Sequence, residues 1–488
     1  MSPRPLFALC LAFFGLGFVL SSADQVPGAA SAPAIPITSH DRVYLSDQSS
    51  NTVSVVDPAS ERLLGVLRLG NPTPGDLSPL YTGQLLVHGM GFSPDHHTLD
   101  VVSIGSNSVT FIDTATNTVK HVTYVGRAPH EAMFSPDGNE VWVAVRGENY
   151  IEVLDGHTYQ SKLHVEVPNG PGMTIFSPDG HYAYVCSSFS PVTVVVDAHS
   201  HEIVGHVAQV SPFCPDIAAT PDGTQVWETL KDTGKTEVFN ARPPFQQIAV
   251  LQTGPITNHV NIVRNAHGQF AYVTIGGLNE VKVFTTSDQP ALVATIPVGD
   301  LPHGLWPSGD GRRIYIGLEN ADAVTAINTL TQRVVAVIPS GQSPQGMVYI
   351  PDAVPSGTGM EHLEPLGKAG AAVHLSLGKP GSHEPLSSVA VNDQGLTDLI
   401  EVAATGLQPH TAYLLALAPQ SDGTGTLELL TQFQSSPSGT AVVSALAHLR
   451  GVLQPGEETS RRYLVIVTAP EGKAGALVQV QLATPGRR

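Results

Sequence analysis

The 488-residue chain carries 42 Asp and Glu against 24 Lys and Arg, a formal net charge of −18, with 47 Gly and 39 Pro and only 14% charged residues. That acidity excludes nucleic acid and an anionic membrane surface as partners, because both repel a negative protein. Sparse charge with abundant turn formers points to an all-β protein, and the length allows two or more domains.

In chain order, residues 1–23 read as a signal peptide. Arg4 gives the positive start, Leu6 to Leu20 is apolar, and Ser21-Ser22-Ala23 offers small residues for cleavage after Ala23. The run is short for a membrane span of about 20 residues, and an uncleaved anchor is the alternative. No later segment is apolar enough to span a bilayer. The mature chain is expected to be periplasmic or secreted, with residues 24–41 as a linker.

From 42 to 350 a unit of about 42 residues recurs seven times. Its marker is a tight turn: Ser93-Pro94-Asp95-His96, Ser135-Pro136-Asp137-Gly138, Ser177-Pro178-Asp179-Gly180, Thr220-Pro221-Asp222-Gly223 and Ser308-Gly309-Asp310-Gly311. Short alternating β-runs between such turns predict a seven-bladed β-propeller. Second strands are expected at Val43-Tyr44-Leu45, Leu99 to Val102, Val141-Trp142-Val143, Tyr184-Val185-Cys186, Val226-Trp227-Glu228, Tyr272-Val273-Thr274 and Ile314-Tyr315-Ile316. Innermost strands are expected from His88, His130, Gly172, Pro215, His259, His303 and Gln345. The first second strand has no innermost strand before it, and the last innermost strand, ending near Ile350, has no second strand after it. The two chain ends must therefore share one blade, and truncation is expected to be tolerated before Val43 and not after it.

Residues 351–370 form a Pro/Gly-rich linker, after which the repeat stops. Residues 371–488 alternate at Val373 to Leu377, Leu399 to Ala403, Tyr413 to Ala418, Leu427 to Phe433, Tyr463 to Thr468 and Ala476 to Leu482, which predicts a β-sandwich of about seven strands. After processing only Cys186 and Cys214 remain. An oxidising compartment makes a disulfide between them possible, and two separate, partly buried thiols are the alternative.

The Tyr272-Val273-Thr274 string, the Ser-Pro-Asp-Gly turns and the Val298 to Gly304 segment (Val-Gly-x-x-Pro-His-Gly) resemble the YVTN β-propeller repeat family. The resemblance covers about two thirds of the mature chain. It implies fold more than function, because this family and its relatives include surface-layer proteins, lactonase-like enzymes and the propeller of nitrous oxide reductase. The segment Gly406 to Tyr413 (Leu407-Gln408-Pro409 before Tyr413) is similar to the corner of fibronectin type III domains and to the C-terminal sandwich of RskA-like anti-sigma factors.

Aligning the repeats puts His88, His130, His259 and His303 on one ring at the channel mouth, with Gly172, Pro215 and Gln345 in the other blades. Imidazole suits zinc, copper and iron, so a transition metal is one expectation for this ring. Plain capping of the channel, and contact with an organic ligand, are the others. A seven-fold ring is wide, and the four histidines are not expected to be all neighbours. The same face is expected to gather Arg146, Glu148, Asn149, Lys231, Glu319 and Asn320 from one set of turns. The loops leading into the blades add Arg127, Glu131, Asp216 and Trp306, and the long loop Asn71 to Leu86 is a candidate lid. The ligand-binding set is therefore His88, His130, His259, His303, Gln345, Arg127, Glu131, Arg146, Trp306 and Glu319.

A lactonase-like chemistry would use His130 with Glu131, or His303 with Glu319, as base and partner. Nothing in their spacing demands it, and there is no Gly-x-Ser-x-Gly or His-Glu-x-x-His motif. The ring has four histidines where nitrous oxide reductase uses seven, and residues 371–488 hold no cysteine for a second copper centre, so that activity is not carried over. No Cys-x-x-Cys-His exists for covalent haem; a non-covalent haem stays open. The sequence favours an exported binding or scaffold protein taking a protein or small-molecule ligand at this mouth, with a metal-dependent lactonase-like hydrolase or a haem or copper redox protein as alternatives.

Overall fold

The computed structural model describes residues 35–70, 83–395, 397–453 and 461–483. The expected signal peptide, most of the 24–41 linker and most of the loop from Asn71 to Leu86 lie outside the described residues.

Seven four-stranded antiparallel sheets form a propeller. Blade 1 takes its innermost strand, Pro344–Ile350, from the end of the repeat region and its other three, Arg42–Asp47, Thr52–Asp57 and Arg62–Arg68, from the start. Val43 pairs with Tyr349, Tyr44 with Val348 and Leu45 with Met347. This is the expected closure, and it gives the first and last strands of the repeat region the partners they would otherwise lack. Innermost strands Val87–Phe92, Pro129–Phe134, Pro171–Phe176, Ile217–Ala219, Thr257–Asn265 and Pro302–Pro307 lead blades 2 to 7.

The turn motif is held by its own side chains. Ser135 Oγ donates to Asp137 Oδ1 at 2.6 Å and accepts from Glu140 N at 3.0 Å, while Asn139 N donates to the same carboxylate oxygen at 3.1 Å. Gly138 adopts φ +74°, which closes the turn. The Ser177, Thr220 and Ser308 turns repeat the hydroxyl-to-Asp bond at 2.6, 2.6 and 2.7 Å.

Six of the seven second strands send one large aromatic side chain between blades. Tyr44, Trp142, Tyr184, Trp227, Tyr272 and Tyr315 are all fully buried at this position. Blade 2 has Asp100 there instead, and the ring moves across the strand pair: Asp100 faces Phe111, where the other blades set their aromatic against Val or Ala. Burial pushes the Asp100 carboxyl well above its ordinary range.

Cys186, on the strand Tyr182–Ser187, forms a disulfide with Cys214, 28 residues later in the loop leading into blade 5. Replacing both with Ala is expected to lower stability by about 2–4 kcal/mol, since the bridge restricts the unfolded chain. Urea unfolding of the double variant measures it.

The C-terminal region is one eight-stranded antiparallel sheet that curls until its edge strands, Glu428–Gln434 and Ala441–Ala447, approach each other. This nearly closed sheet accords with the expected sandwich, with eight strands in place of about seven. The strands not anticipated are Ser387–Asp393 and Ala441–Ala447. The second hides its alternation because its outward residues are also apolar, as at Val442 and Leu446, which is 65% exposed. Leu377, Val389, Val402, Leu415 and Ile466 fill the interior. Tyr413 is buried and its hydroxyl accepts from Gln408 N at 2.9 Å, tying the corner before that strand. No helix among the described residues is long and apolar enough to cross a membrane.

Candidate functional site at the channel mouth

The strand registers correct the repeat alignment at one position. Thr257 pairs with Ile275 as Pro302 pairs with Leu318 and Pro129 with Val145. Asn258, and not His259, therefore stands level with His130 and His303, and His259 lies one residue deeper. The ring side chains bridge neighbouring blades: His130 Nδ1 to Gly172 O at 3.0 Å, Asn258 Nδ2 to Pro302 O at 2.7 Å, and His303 Nδ1 to Gln345 O at 3.1 Å. Behind them Ser46, Thr229 and Thr274 hydroxyls donate to the carbonyls of His88, Asn258 and His303.

The four histidines are closer than the width of a seven-fold ring suggests. The rings of His88 and His130 are 4.4 Å apart, those of His259 and His303 also 4.4 Å, and His88 stands 6.3 Å from His303. The side chains fold inward across the mouth, which removes the wide gap expected from blade geometry. A backbone carbonyl only accepts, so His130 and His303 carry their proton on Nδ1 and turn an Nε2 lone pair inward. His130 Nε2 lies 2.9 Å from His88 Nε2, and His88 Nδ1 lies 2.9 Å from Gln48 Oε1; His88 donates from Nε2 to His130 when the Gln48 amide is turned to present its N–H to Nδ1. His259 Nδ1 lies 3.5 Å from Asp216 Oδ2, and its buried Nε2 has no partner among the described residues. Burial drives all four pKa values down, to about 3 for His88 and His259 and well below the usual range for His130 and His303. Nearby Lys231 adds to the shift at His259, and Arg146 adds to it at His88.

The ring is therefore neutral at pH 7. For a metal it offers a hydrogen-bonded imidazole pair; among the described residues no three His, Cys, Asp or Glu side chains are arranged to hold an ion. The depressed pKa values also set a pH dependence. Between pH about 6.5 and about 3 the unfolded chain binds protons that the folded His259 refuses, so stability falls as pH drops through that window. Asp216, pushed up to about 8 by burial, acts in the opposite sense by holding its proton in the fold. His259→Asn is accordingly expected to lose about 2 kcal/mol less than the parent between pH 7 and pH 5, measured by urea unfolding at both values.

The other expected residues divide. Gln345 Nε2 donates to Glu319 Oε1 at 2.6 Å, and Glu319 Oε2 lies 3.9 Å from His303 Nε2, so both belong to the mouth. Arg146 also faces it. Its guanidinium lies over Phe189 and Phe213, 5.5 and 5.3 Å from the ring centroids, and burial lowers its pKa to about 10. Lys231 is lowered too, mainly by burial, with Glu319 and Glu401 working against the shift. Glu131 is not at the mouth: it reaches into blade 2 and accepts from Met90 N at 2.9 Å. Trp306 also lies deeper, its ring 5.9 Å from Phe92. Arg127 stays on the outer rim, 71% exposed, beside Glu148, and Asn149 turns away to Glu166.

The largest departure from expectation is that the C-terminal sheet covers this face. Asn320 Nδ2 donates to Ser388 Oγ at 2.9 Å, His374 Nε2 lies 3.2 Å from Asp322 Oδ2, Asn392 Nδ2 donates to Ser343 Oγ at 3.3 Å, and Gln394 Nε2 donates to Ser49 O at 2.8 Å. Ile256 and Leu301 pack on Ala403. Glu401, on the same strand, points at Glu319 and Lys231; burial and Glu319 raise its pKa well above the usual carboxylate range. The polar mouth is thus roofed by the C-terminal sheet. Glu401 lies in a strand the alternation identified, but no local pattern reveals that this strand docks on another domain.

The family described as "Lactonase, 7-bladed beta-propeller" matches residues 106–333. Among solved structures, the chain is similar to Kuenenia stuttgartiensis hydrazine synthase, with a TM-score of 0.51 at 20% identity, covering 64% of this chain and 98% of that one. It is similar to a functionally unknown protein from Desulfotomaculum acetoxidans, with a TM-score of 0.53 at 12% identity over 63% and 98% of the two chains. A periplasmic gluconolactonase from Pseudomonas aeruginosa gives 0.50 at 18% identity over 64% and 99%. These likenesses establish the propeller fold. No curated protein matches the chain.

Proposed function

We propose that this YVTN-type seven-bladed propeller is an exported binding protein that takes a small anionic molecule, a carboxylate, at its roofed channel mouth. The observation that carries this is the charge balance at this mouth. Arg146 and Lys231 bring two positive charges within range of the neutral histidines. Glu401, facing them, is held towards its protonated form by burial and by Glu319. Two buried cations beside neutral imidazoles favour an anion. Imidazole donors and acceptors then fix its orientation, as polar groups do in small-molecule sites. The roof of Ser388, Asn392 and Glu401 favours a small ligand over a protein partner at this mouth.

The family match favours a second reading, hydrolysis of a lactone. His303 Nε2 would act as base and Lys231 or Arg146 would stabilise the developing oxyanion; the product is a hydroxycarboxylate, an anion of the same class. Calorimetry of the mature chain with gluconate and other small hydroxycarboxylates tests binding, and a pH-stat assay with gluconolactone tests turnover. Arg146→Met and Lys231→Met should each weaken carboxylate binding by about tenfold or more. If no carboxylate binds below millimolar concentration, the binding proposal fails. If the lactone is hydrolysed no faster than in buffer, the hydrolase reading fails.

A further inference from the structure

Below the histidines the channel closes to a cavity of about 40 Å³ whose walls include Met90, Met133, Met173, Met347, Asp216 and His259. Four of the six methionines in the whole chain meet in this one place. They come from the innermost strands of blades 1, 2, 3 and 4, so no local packing run accounts for them. The registers of the other innermost strands put Ile217, Val260 and Leu305 level with Met90 and Met347. A branched aliphatic side chain therefore satisfies the packing at the level of Met90 and Met347, where the thioether is surplus to it; Met133, paired with Trp142, and Met173, paired with Cys186, reach the cavity from other levels.

We infer that this cavity is a binding site for a soft monovalent metal ion, Cu(I), held by thioether sulfur and by His259. Thioether and imidazole together select Cu(I), whereas hard cations prefer oxygen and zinc prefers thiolate or several imidazoles. The His259 imidazole is arranged as a ligand. Its Nδ1 lies 3.5 Å from the Asp216 carboxyl, and its Nε2, buried, has no partner among the described residues. The Asp216 side chain behind the imidazole fixes the orientation of the ring. The volume suits a small ion and not an organic molecule. A borderline divalent ion lacks a ligand set: Glu131, Asp216 and His259 all border the cavity, but no three His, Cys, Asp or Glu side chains among the described residues are arranged to hold an ion. The inference does not rest on the anion proposed for the mouth, although His259 borders both sites.

The mature full-length chain, titrated anaerobically with Cu(I) in ascorbate against the chelator bicinchoninate, should retain one Cu(I) per chain, with sulfur scattering in the X-ray absorption spectrum. Met90→Leu/Met133→Leu/Met173→Leu/Met347→Leu keeps the packing volume and should hold Cu(I) about 100-fold more weakly or not at all. Its thermal unfolding and its response to gluconate should match the parent. The inference is overturned if the chelator strips the parent completely, or if the four-fold leucine variant holds Cu(I) as tightly as the parent. It is also overturned if the metal is lost instead from His88→Ala/His130→Ala, which would put the ion at the ring.

Discussion

A chain beginning at Ile35 is expected to melt as the full mature chain does, whereas a chain beginning after Asp47 should show no cooperative unfolding of the propeller. The strand Arg42–Asp47 pairs on one side with Thr52–Asp57 and on the other with Pro344–Ile350. Its loss strips partners from both and exposes the pocket of Val43, Tyr44 and Leu45, all fully buried. At about 1.5–3 kcal/mol for each large apolar side chain, with the ladder bonds in addition, this approaches the whole stability of a domain, about 5–15 kcal/mol. The structure also moves the boundary read from the repeat. Cutting just before Val43 is not harmless, because Asp41 accepts from Thr38 N at 3.0 Å, from Asp352 N at 2.9 Å and from the Tyr349 hydroxyl. Arg42 is buried as well, and donates to Ser39 O at 2.8 Å and Thr358 O at 2.9 Å. Asp41→Ala alone should cost about 2–3 kcal/mol. Circular dichroism melts of the two truncations and the point variant give the comparison.

Lys231→Met is expected to destabilise the docking of the C-terminal sheet by about 3–5 kcal/mol at pH 8.5 and by distinctly less at pH 5.5. Removing one member of a buried charge cluster leaves the others uncompensated, and Lys231 is the cation facing both Glu319 and Glu401. The pH sign follows from Glu401. Its folded pKa is raised by burial and by Glu319. The folded state therefore holds a proton that the unfolded state has released above pH about 4.5. Its favourable contribution is present at low pH and is lost as pH rises through the folded value. Without Lys231 that loss goes uncompensated at high pH. Thermal unfolding at the two pH values, together with the rate of protease cleavage in 351–370, separates undocking from global unfolding. An equal effect at both pH values would show that Lys231 acts through packing alone.

Much of the propeller is legible in the sequence because each of its devices is local. A Ser-Pro-Asp-Gly turn closes on its own hydroxyl and carboxylate, and an alternating run with a bulky residue at its centre has one way to lie in a blade. The strand count settles closure, since an unpaired first and last strand can satisfy their backbone only with each other. The histidine ring is partly legible: His88, His130 and His303 stand at equivalent positions. His259 was set level with them because it is a histidine, while the register gives that level to Asn258. A slip of one residue in an innermost strand is invisible to a pattern of period two whose neighbours are all buried.

What the tertiary structure decides is everything that joins distant parts of the chain. Inward-folded imidazoles bring His88 and His303 within 6.3 Å although 215 positions separate them. Glu131 and Trp306, expected at the mouth, lie below it and border the cavity beneath the histidines, because the innermost strands run down the channel from their first residues. The methionines of four blades share a cavity that no window of sequence contains. The docking of Ser388, Asn392 and Glu401 on the mouth follows from shape and charge on two surfaces, which the repeat does not encode. The sequence by itself determined a closed seven-bladed ring with a second all-β region, because turns, alternation and pairing are local or countable. Only the tertiary structure decided that the C-terminal sheet roofs the ring's mouth and that two cations face it, because burial and proximity are properties of the assembled surfaces.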